Sequence, residues 1–356
     1  MRACFVVEGA AWSGATRAFA DAATLLAQRG FETCFAAPAG SDAERVLIAA
    51  GHDVVGLASG GGWVRRGWRL RGIVARRLSE VLFVHSDREH LAAAAAIRFA
   101  GRGAIVRRTV SGERLTIGAD GKFAMRMAAT GFVFAHGDDL RGMNAPRGAL
   151  AAHVAPPGVS EPASAKPAAG TPGVPRLLVI IGDDRWSDGL VALRALALLA
   201  PRLATLRATV ITSAAQLDAA RLQAAALGIA ERVDWLPSAA PRDAALAAST
   251  LCWVIATADD AIYAMLDAAA RGVPIVAERT PLTARVLGDD DGALLRHRAD
   301  DAEWASVIAA ALASPDALDT MRRAARRAAA RAPFDTGAEG WVAVTEAARD
   351  RTRWTS

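Results

Sequence analysis

Two aspartates in the second half of the chain have a type and a spacing that could support chemistry. Asp259 and Asp267 are eight residues apart, on a segment expected to be helical until Gly272. Apolar segments precede and follow this helix, as expected of buried parallel strands. Asp259 or Asp260 is expected to cap the helix. The pair could also be one capping and one exposed aspartate on an ordinary helix.

A histidine and a glycine-bearing loop in the first half are further site candidates. His85 follows an apolar segment, and polar residues at the carboxyl ends of parallel strands line the crevice of such sheets. Gly14 lies between the first strand and the first helix, where unpaired N–H groups can bind an anion. A structural histidine and a plain turn remain alternatives. The glycines lack the dinucleotide-binding spacing, so an NAD-dependent oxidoreductase is not expected.

Short apolar segments alternate with helical segments along the whole chain, which predicts parallel sheets with right-handed crossovers. The expected strands are 3–7, 31–36, 53–57, 81–84, 104–106 and 131–135 in the first half, then 177–181, 208–212, 232–236, 251–255 and 273–277. Residues 118–121 are expected to form a surface turn. Residues 160–175, rich in Pro, Ala, Gly and Ser, are expected to be a linker.

The composition limits the class of protein. The 356 residues are too many for one ordinary core, and 53% hydrophobic with 22% charged residues is typical of a globular protein. Three cysteines in apolar segments indicate reduced thiols and a cytoplasmic location. The net charge of +5 comes almost entirely from arginine, and no nucleic-acid-binding motif accompanies it. Nucleic acid is therefore not an expected partner.

The segment around the two aspartates resembles the donor-sugar motif of retaining GT-B glycosyltransferases. Here L-D-A-A-A-R-G-V-P-I-V-A stands where that family has L-E-A-M-A-x-G-x-P-V-V-A. The resemblance implies that Asp259 lies near the sugar and that Asp267, in the N-terminal half of its helix, binds the nucleotide ribose. The Gly14 loop and L-F-V-H-S-D-R-E-H, with His85, also resemble family segments. Residues 289–295 match a family turn loosely.

The resemblance covers nearly the whole chain and implies a complete domain plan. The fold class is α/β of the GT-B type, with two Rossmann-like domains whose parallel sheets face an interdomain cleft. Residues 1–159 would form the acceptor-side domain, 160–175 the linker, 176–332 the nucleotide-sugar-binding domain, and 333–356 a helix that crosses back. The implied activity is retaining transfer of a sugar from a UDP- or GDP-linked donor to a glycan, lipid-linked or small-molecule acceptor. No metal or other cofactor is implied.

The expected diphosphate site departs from the family pattern. Gly182 fits, but Asp183 and Asp188 occupy the positions of an arginine and a lysine that hold the donor diphosphate. Like charges repel in a cleft of low dielectric constant. Arg185 is expected to point into the cleft, and a pairing with Asp183 or Asp188 on the surface is the competing outcome. The other arginines that could compensate are Arg17, Arg108 and Arg279. The alternative function is a GT-B-like binding or scaffold subunit of glycan biosynthesis without donor turnover.

One basic segment, from Trp63 to Leu78, contains six arginines interleaved with aromatic and aliphatic residues. Such a helix can bind an anionic membrane surface, which would place the protein at the inner face of the membrane. An outer helix with its apolar side on the sheet is the alternative. Gly67 and Gly72 weaken the helical prediction.

Overall fold

A computed structural model describes most of the chain. The described residues are 1–58, 60–112, 114–141, 143–160, 174–182, 185–288 and 299–352, with the backbone alone for 294–296 and no side chain for Trp186. They fall into two compact units, Met1–Pro157 with Asp335–Ser356, and Gly158–Phe334. Most of the expected linker, the expected turn at 289–293 and Asp183 lie outside the described residues.

The first unit is built on a seven-stranded parallel sheet of order β3-β2-β1-β4-β5-β6-β7 among the described residues. Its strands are β1 Arg2–Val6, β2 Glu32–Pro38, β3 Val54–Leu57, β4 Val81–Val84, β5 Ala104–Arg108, β6 Thr130–Phe134 and β7 Ala152–Val154. Phe5 stacks between Phe35 and Phe83, with ring centroids 5.2 and 4.6 Å away. All three rings are fully buried, so aromatic packing joins the central strands.

Helices cover both faces of this sheet. They are α1 Gly14–Gln28, α2 Asp42–Ala49, α3 Trp63–Arg77, α4 Asp87–Ala100, α5 Ala119–Met127 and α6 Gly137–Leu140. The predicted turn at 118–121 is wrong, because α5 begins at Ala119. The helix α3 forms despite its glycines because Gly67 is buried against α4. A Cβ at Gly67 would lie 2.5 Å from the Cβ of Ala95, so glycine permits this close packing.

The second unit contains a six-stranded parallel sheet of order β10-β9-β8-β11-β12-β13 among the described residues. Its strands are β8 Arg176–Ile181, β9 Arg207–Thr212, β10 Val233–Pro237, β11 Leu251–Ile255, β12 Ile275–Glu278 and β13 Leu294–Arg296. Its helices are α7 Trp186–Leu199, α8 Leu217–Ala226, α9 Asp243–Ala248, α10 Ala258–Ala270, α11 Pro281–Leu287, α12 Asp301–Ala313 and α13 Pro315–Ala330. Trp253 and Trp304 pack against each other in its core, with their ring centroids 5.2 Å apart.

The last helix, α14 Ala338–Asp350, belongs to the first unit. Trp341 is buried and meets Phe83 edge-on at 5.7 Å. Gly340 allows the helix to approach β7, since a Cβ there would lie 2.0 Å from the carbonyl oxygen of Val154. The chain therefore returns, after the second unit, to complete the core of the first.

Candidate functional site

A buried carboxylate joins the ends of the two central strands of the first sheet. Glu89, 1% exposed, accepts backbone N–H groups of Glu8 at 2.9 Å, His85 at 2.8 Å and Ser86 at 3.1 Å. Its Oε2 also lies 3.0 Å from Nδ1 of His85. The strands β1 and β4 are neighbours where the strand order reverses, the usual ligand site of such sheets. The loops after both strands are thus held by one side chain.

The pKa of Glu89 reflects this environment. Burial alone would raise it, but the charge and hydrogen bond of His85, with the N–H groups of His85 and Glu8, lower it below its ordinary 4.5. Sequence reasoning missed Glu89, although Ser86-x-x-Glu89 is a capping-box sequence and forms that box at the start of α4. The glutamate performs two tasks, capping the helix and fixing the neighbouring loop.

His85 lies at the end of β4, where the sequence placed it. Its side chain is 20% exposed and meets Phe19 edge-on at 5.5 Å. His90 differs, because burial and then the charge of Arg107 lower its pKa to about 3, and its Nε2 lies 2.9 Å from the hydroxyl of Thr130. His85 is therefore partly accessible, whereas His90 is a neutral core residue.

The other first-unit candidates are at the ends of β1 and β5. Gly14 is the buried first residue of α1, and the hydroxyl of Ser13 caps that helix by accepting the N–H of Thr16 at 3.3 Å. Arg108, at the end of β5, is only 2% exposed. Its neighbour Arg107 is also buried and pairs with Asp87.

The carboxyl edge of the second sheet brings several candidates together. The N–H of Gly182 donates to the carbonyl of Ile255 at 2.8 Å, which holds the end of β8 beside the end of β11. Arg185 follows and pairs with Asp188 and, at 2.6 Å, with Glu278. Arg279 is exposed directly after β12. The pairing with Asp188 is the outcome that competes with an Arg185 pointing into the cleft, and Glu278 is a partner that sequence reasoning missed.

A small pocket adjoins this group within the second unit. Arg185, Asp188 and Glu278 line it together with Trp253 and Trp304, and its volume is about 100 Å³. Ligand pockets commonly measure roughly 300–1,000 Å³. This pocket alone is therefore smaller than a typical ligand site.

The two aspartates of the sequence motif lie at different levels of α10. The helix begins at Ala258 after its N-cap residue Thr257, so Asp259 and Asp260 are in its first turn and the expectation that either one caps it is wrong. Asp267 is in the C-terminal half, not the N-terminal half as expected. Eight residues correspond to about 12 Å along a helix. Both side chains are buried, and the structure does not bring them together.

Asp267 lies close to a cation. Its carboxylate is 3.6 Å from the guanidinium of Arg242, and both side chains are mostly buried. Both charges also act on Cys252, near the start of β11, whose pKa is raised to about 12 chiefly by burial. The helix α10 runs back from the carboxyl end of β11 to the amino end of the parallel strand β12, so Asp267 in its C-terminal half is nearer the amino ends of these strands. Arg185 and Glu278 are at the carboxyl edge of the same sheet. Asp259, two residues beyond the loop that follows β11, is on the carboxyl side.

Whole-chain comparisons place this architecture among known folds. No protein-family model and no curated protein sequence matches the chain. Several solved structures, however, do match the chain. A Rickettsia africae glycosyltransferase aligns with a TM-score of 0.70 at 12% identity, covering 97% of each chain. Anabaena HepE, solved with UDP and glucose, aligns at 0.69 and 15% identity, also covering 97% of each. The pneumococcal O-GlcNAc transferase GtfA, solved with UDP and GlcNAc, aligns at 0.72 and 10% identity, covering 97% of this chain and 98% of its own.

The chain has the GT-B fold. The match extends over nearly the whole length in each comparison, so both units of the GT-B architecture are present. The fold class expected from the sequence is confirmed. Among the described residues, no three His, Cys, Asp or Glu side chains are grouped to hold a metal ion. No helix in the described ranges is long and apolar enough to cross a bilayer.

Proposed function

We propose that this GT-B protein is a glycosyltransferase that transfers a sugar from a UDP- or GDP-linked donor to an acceptor with retention. The observation that supports it best is the whole-chain similarity to GT-B structures, including HepE, which was solved with UDP-glucose at 14% identity over 99% of each chain. The acceptor is a glycan, a lipid-linked molecule or a small molecule. The nucleotide sugar is the only co-substrate in the proposal.

Asp259 is the proposed acid on the sugar side. It is 2% exposed and lies in the first turn of α10, where the helix dipole stabilises a carboxylate. The preceding Ala258 has a φ of +50°, a strained conformation for alanine that functional sites often contain. On the acceptor side, His85 is the proposed polar group, with Glu89 setting its position through the 3.0 Å contact.

The donor diphosphate requires positive charge, and Arg185 is the proposed source. In transferases of this kind, stabilising charge on the leaving group is the main contribution to the rate. Arg185 precedes α7, whose N-terminus also favours anions. Arg279 and Arg108 are the proposed supporting cations, and Gly182 and Gly14 the proposed close-approach positions. The role of Asp267 in nucleotide binding stays a prediction, and its carboxylate lies 3.6 Å from the guanidinium of Arg242.

A second function, a binding or scaffold subunit without donor turnover, is favoured by one observation. Arg185 contacts two carboxylates, Asp188 and Glu278, so one positive charge meets two negative charges. A diphosphate approaching this group would meet net negative charge from these three side chains. Turnover therefore requires Arg185 to exchange at least one carboxylate for the phosphate.

The experiment is a titration of the full-length protein with UDP, GDP, UDP-glucose, UDP-N-acetylglucosamine and GDP-mannose by calorimetry. Nucleotide release and sugar transfer are then measured with each donor that binds. Binding with turnover supports the transferase, and an α-linked product from an α-linked donor supports retention. Binding without turnover supports the second function. Absence of binding to every nucleotide contradicts the transferase.

We also propose that the outer face of α3 contacts an anionic membrane. Leu70, Ile73 and Val74 of this helix are buried, whereas Trp68 is 60% exposed and the guanidinium of Arg71 stacks over it at 4.7 Å. Aromatic rings flanked by arginines bind at the interface of anionic bilayers. The expected apolar inner side and an aromatic, basic outer side are thus both present.

Co-sedimentation with vesicles tests this contact. We expect binding to vesicles of phosphatidylcholine with phosphatidylglycerol and weaker binding to phosphatidylcholine alone. Trp68→Ser should reduce the bound fraction. Leu222→Ser, at a 74% exposed position on α8 of the second unit, is the matched control. An equal reduction by both variants would contradict a specific α3 contact.

A further inference from the structure

A pocket of the first unit is lined by none of the proposed catalytic residues. It has a volume of about 460 Å³, within the usual range for ligand sites. The loop after β1, the ends of β2 and β3, and the helices α3 and α4 enclose it. The lining residues are Val6, Val7, Glu8, Gly9, Ala10, Pro38, Leu57, Ala58, Gly60, Arg66, Arg69, Leu70, Arg88 and Ala92.

The charges on the pocket wall are predominantly positive. Three lining residues are arginines, Arg66, Arg69 and Arg88, and one is an acid, Glu8, which leaves two positive charges uncompensated. Arg66 holds the acid at 2.6 Å, with a side chain only 23% exposed. Arg88 is 4.0 Å from the same carboxylate and 74% exposed, so most of its donors face solvent.

The third arginine is positioned by backbone groups. Arg69 donates to the carbonyl oxygen of Ala58 at 2.6 Å and to that of Gly60 at 3.2 Å. Carbonyl oxygens fix the side chain without neutralising its charge. The guanidinium has five N–H donors, so donors remain after these two bonds. Arg66 and Arg69 are therefore held in place in the free protein, and little ordering is required before an anion binds.

The remaining wall is apolar. Val6, Val7, Leu57, Leu70 and Ala92 line the pocket beside the arginines. An anion with no apolar part would leave this surface unused, and an uncharged apolar molecule would leave the guanidinium groups without partners. The pocket matches a molecule that has both.

We propose that this pocket binds the phosphate group of a phosphate-bearing acceptor, with the body of the acceptor along the apolar wall. Two uncompensated guanidinium groups match the charge of a phosphate monoester or diphosphate, which arginine binds in bidentate geometry. The assignment of this molecule as the acceptor rests on the proposed transferase function. Its source is either a lipid phosphate or a soluble sugar phosphate, which share this chemistry.

Binding assays with defined probes test the pocket without any donor. Farnesyl phosphate, farnesol, glucose 6-phosphate and inorganic phosphate are titrated separately into the full-length protein by calorimetry. We expect saturable binding of at least one organic phosphate. Farnesyl phosphate binding more tightly than glucose 6-phosphate and farnesol identifies a lipid phosphate. The reverse order identifies a sugar phosphate. Saturable binding of neither organic phosphate would overturn the proposal.

Variants locate the binding. Arg88→Gln removes one guanidinium whose only ion pair among the described residues is the 4.0 Å contact with Glu8, so the fold should persist. We expect about a tenfold or greater loss of affinity for the organic phosphate, as for a lost charged hydrogen bond. Arg98→Gln, at an exposed position near the end of α4 and outside the pocket, is the control. Equal losses in the two variants would overturn the assignment to this pocket.

The proposed phosphate pocket and the proposed transferase function can fail independently of each other. Binding of the organic phosphate that depends on Arg88, without binding of any nucleotide, would support the proposed pocket and contradict the transferase function. Turnover of a nucleotide sugar without binding of either organic phosphate would support the transferase function and contradict the proposed pocket. Thermal unfolding of Arg88→Gln, compared with that of the wild type, shows whether lost binding comes from a folding defect.

Discussion

Arg185 donates a hydrogen bond of 2.6 Å to the carboxylate of Glu278, although 93 residues separate them in the chain. The bond joins the loop before α7 to the end of β12. Both side chains are between one quarter and one third exposed, so the pair is partly shielded from solvent. The arginine that the proposed transferase needs is thus already engaged in the free protein.

The first prediction concerns Arg185 in catalysis. If Arg185 stabilises the leaving diphosphate, Arg185→Ala should lower the rate of sugar transfer by about 10²–10³ while the fold is kept. The measurement is the steady-state rate with the donor identified by titration. Arg194→Ala is the matched control, since Arg194 also lies in this part of the chain, on α7, and pairs with a carboxylate, Asp301, at 3.0 Å. Unchanged transfer in Arg185→Ala would remove it from the mechanism.

The second prediction concerns the acid partner of the same arginine. Glu278→Gln leaves a hydrogen-bond acceptor for Arg185 but removes one of two competing negative charges. We expect this variant to bind UDP more tightly than the wild type, because less charge opposes the diphosphate. The effect should weaken at high salt if it is electrostatic. A lower UDP affinity would indicate that Glu278 itself positions Arg185 for the ligand.

The third prediction separates two roles of Asp267. The motif predicts that Asp267→Ala weakens nucleotide binding by about 1–3 kcal/mol, as for a lost charged hydrogen bond. The ion pair with Arg242 predicts instead a loss of folding stability, because a mostly buried guanidinium would lose its partner. We expect the second result, since Asp267 lies toward the amino end of β11. Urea unfolding and UDP titration of one preparation give both quantities.

A double-mutant cycle completes that test. If the two side chains stabilise each other, Asp267→Asn and Arg242→Gln together should cost less stability than the sum of the single changes. Additive losses would show that the 3.6 Å contact contributes nothing to folding.

The fourth prediction concerns Glu89 and pH. The folded state lowers the pKa of Glu89, so the unfolded chain binds its proton more readily. The stability that Glu89 contributes is therefore present above its ordinary pKa of 4.5 and is lost as the pH falls through the lower, folded value. Glu89→Gln should cost about 1–3 kcal/mol or more at neutral pH, because the amide group would turn donors toward backbone N–H groups.

Urea unfolding between about pH 6 and about pH 3 checks the sign. The difference in the free energy of unfolding between wild type and Glu89→Gln should shrink as the pH falls, since protonation removes the charge in the wild type as well. A difference that is constant over this range would mean that the charge of Glu89 does not stabilise the fold.

The fifth prediction concerns two glycines of α3. An exposed helix interior usually gains about 1 kcal/mol from Gly→Ala. Gly72→Ala should show such a gain, because in the part of the chain that the structure describes only the side chain of Arg76 would lie within 4 Å of the added Cβ, at 3.5 Å. Gly67→Ala should instead destabilise the protein, because its Cβ would meet Ala95 at 2.5 Å and the carbonyl oxygen of Ala92 at 3.0 Å. Opposite shifts in the thermal unfolding midpoint would confirm that α3 is packed tightly on α4.

The sequence by itself determined the alternation of strands and helices, and its resemblance to a known motif implied the GT-B fold. Buried strands such as Leu251–Ile255 and helix-ending glycines such as Gly272 express local preferences that each segment carries wherever it lies. The same reasoning located His85 at a strand end. These features depend on neighbours along the chain, so spacing alone encodes them.

Only the tertiary structure decided which charged groups meet. Glu278 reaches Arg185 because β12 and β8 flank the same strand, β11, and the carboxylate of Glu89 accepts the backbone N–H of Glu8 because β1 and β4 are adjacent. The position of Asp267 in its helix also depended on where α10 begins, and no residue of the motif predicts that start. Partners far apart in sequence are set by strand order, and the electrostatic balance of a site follows from those partners.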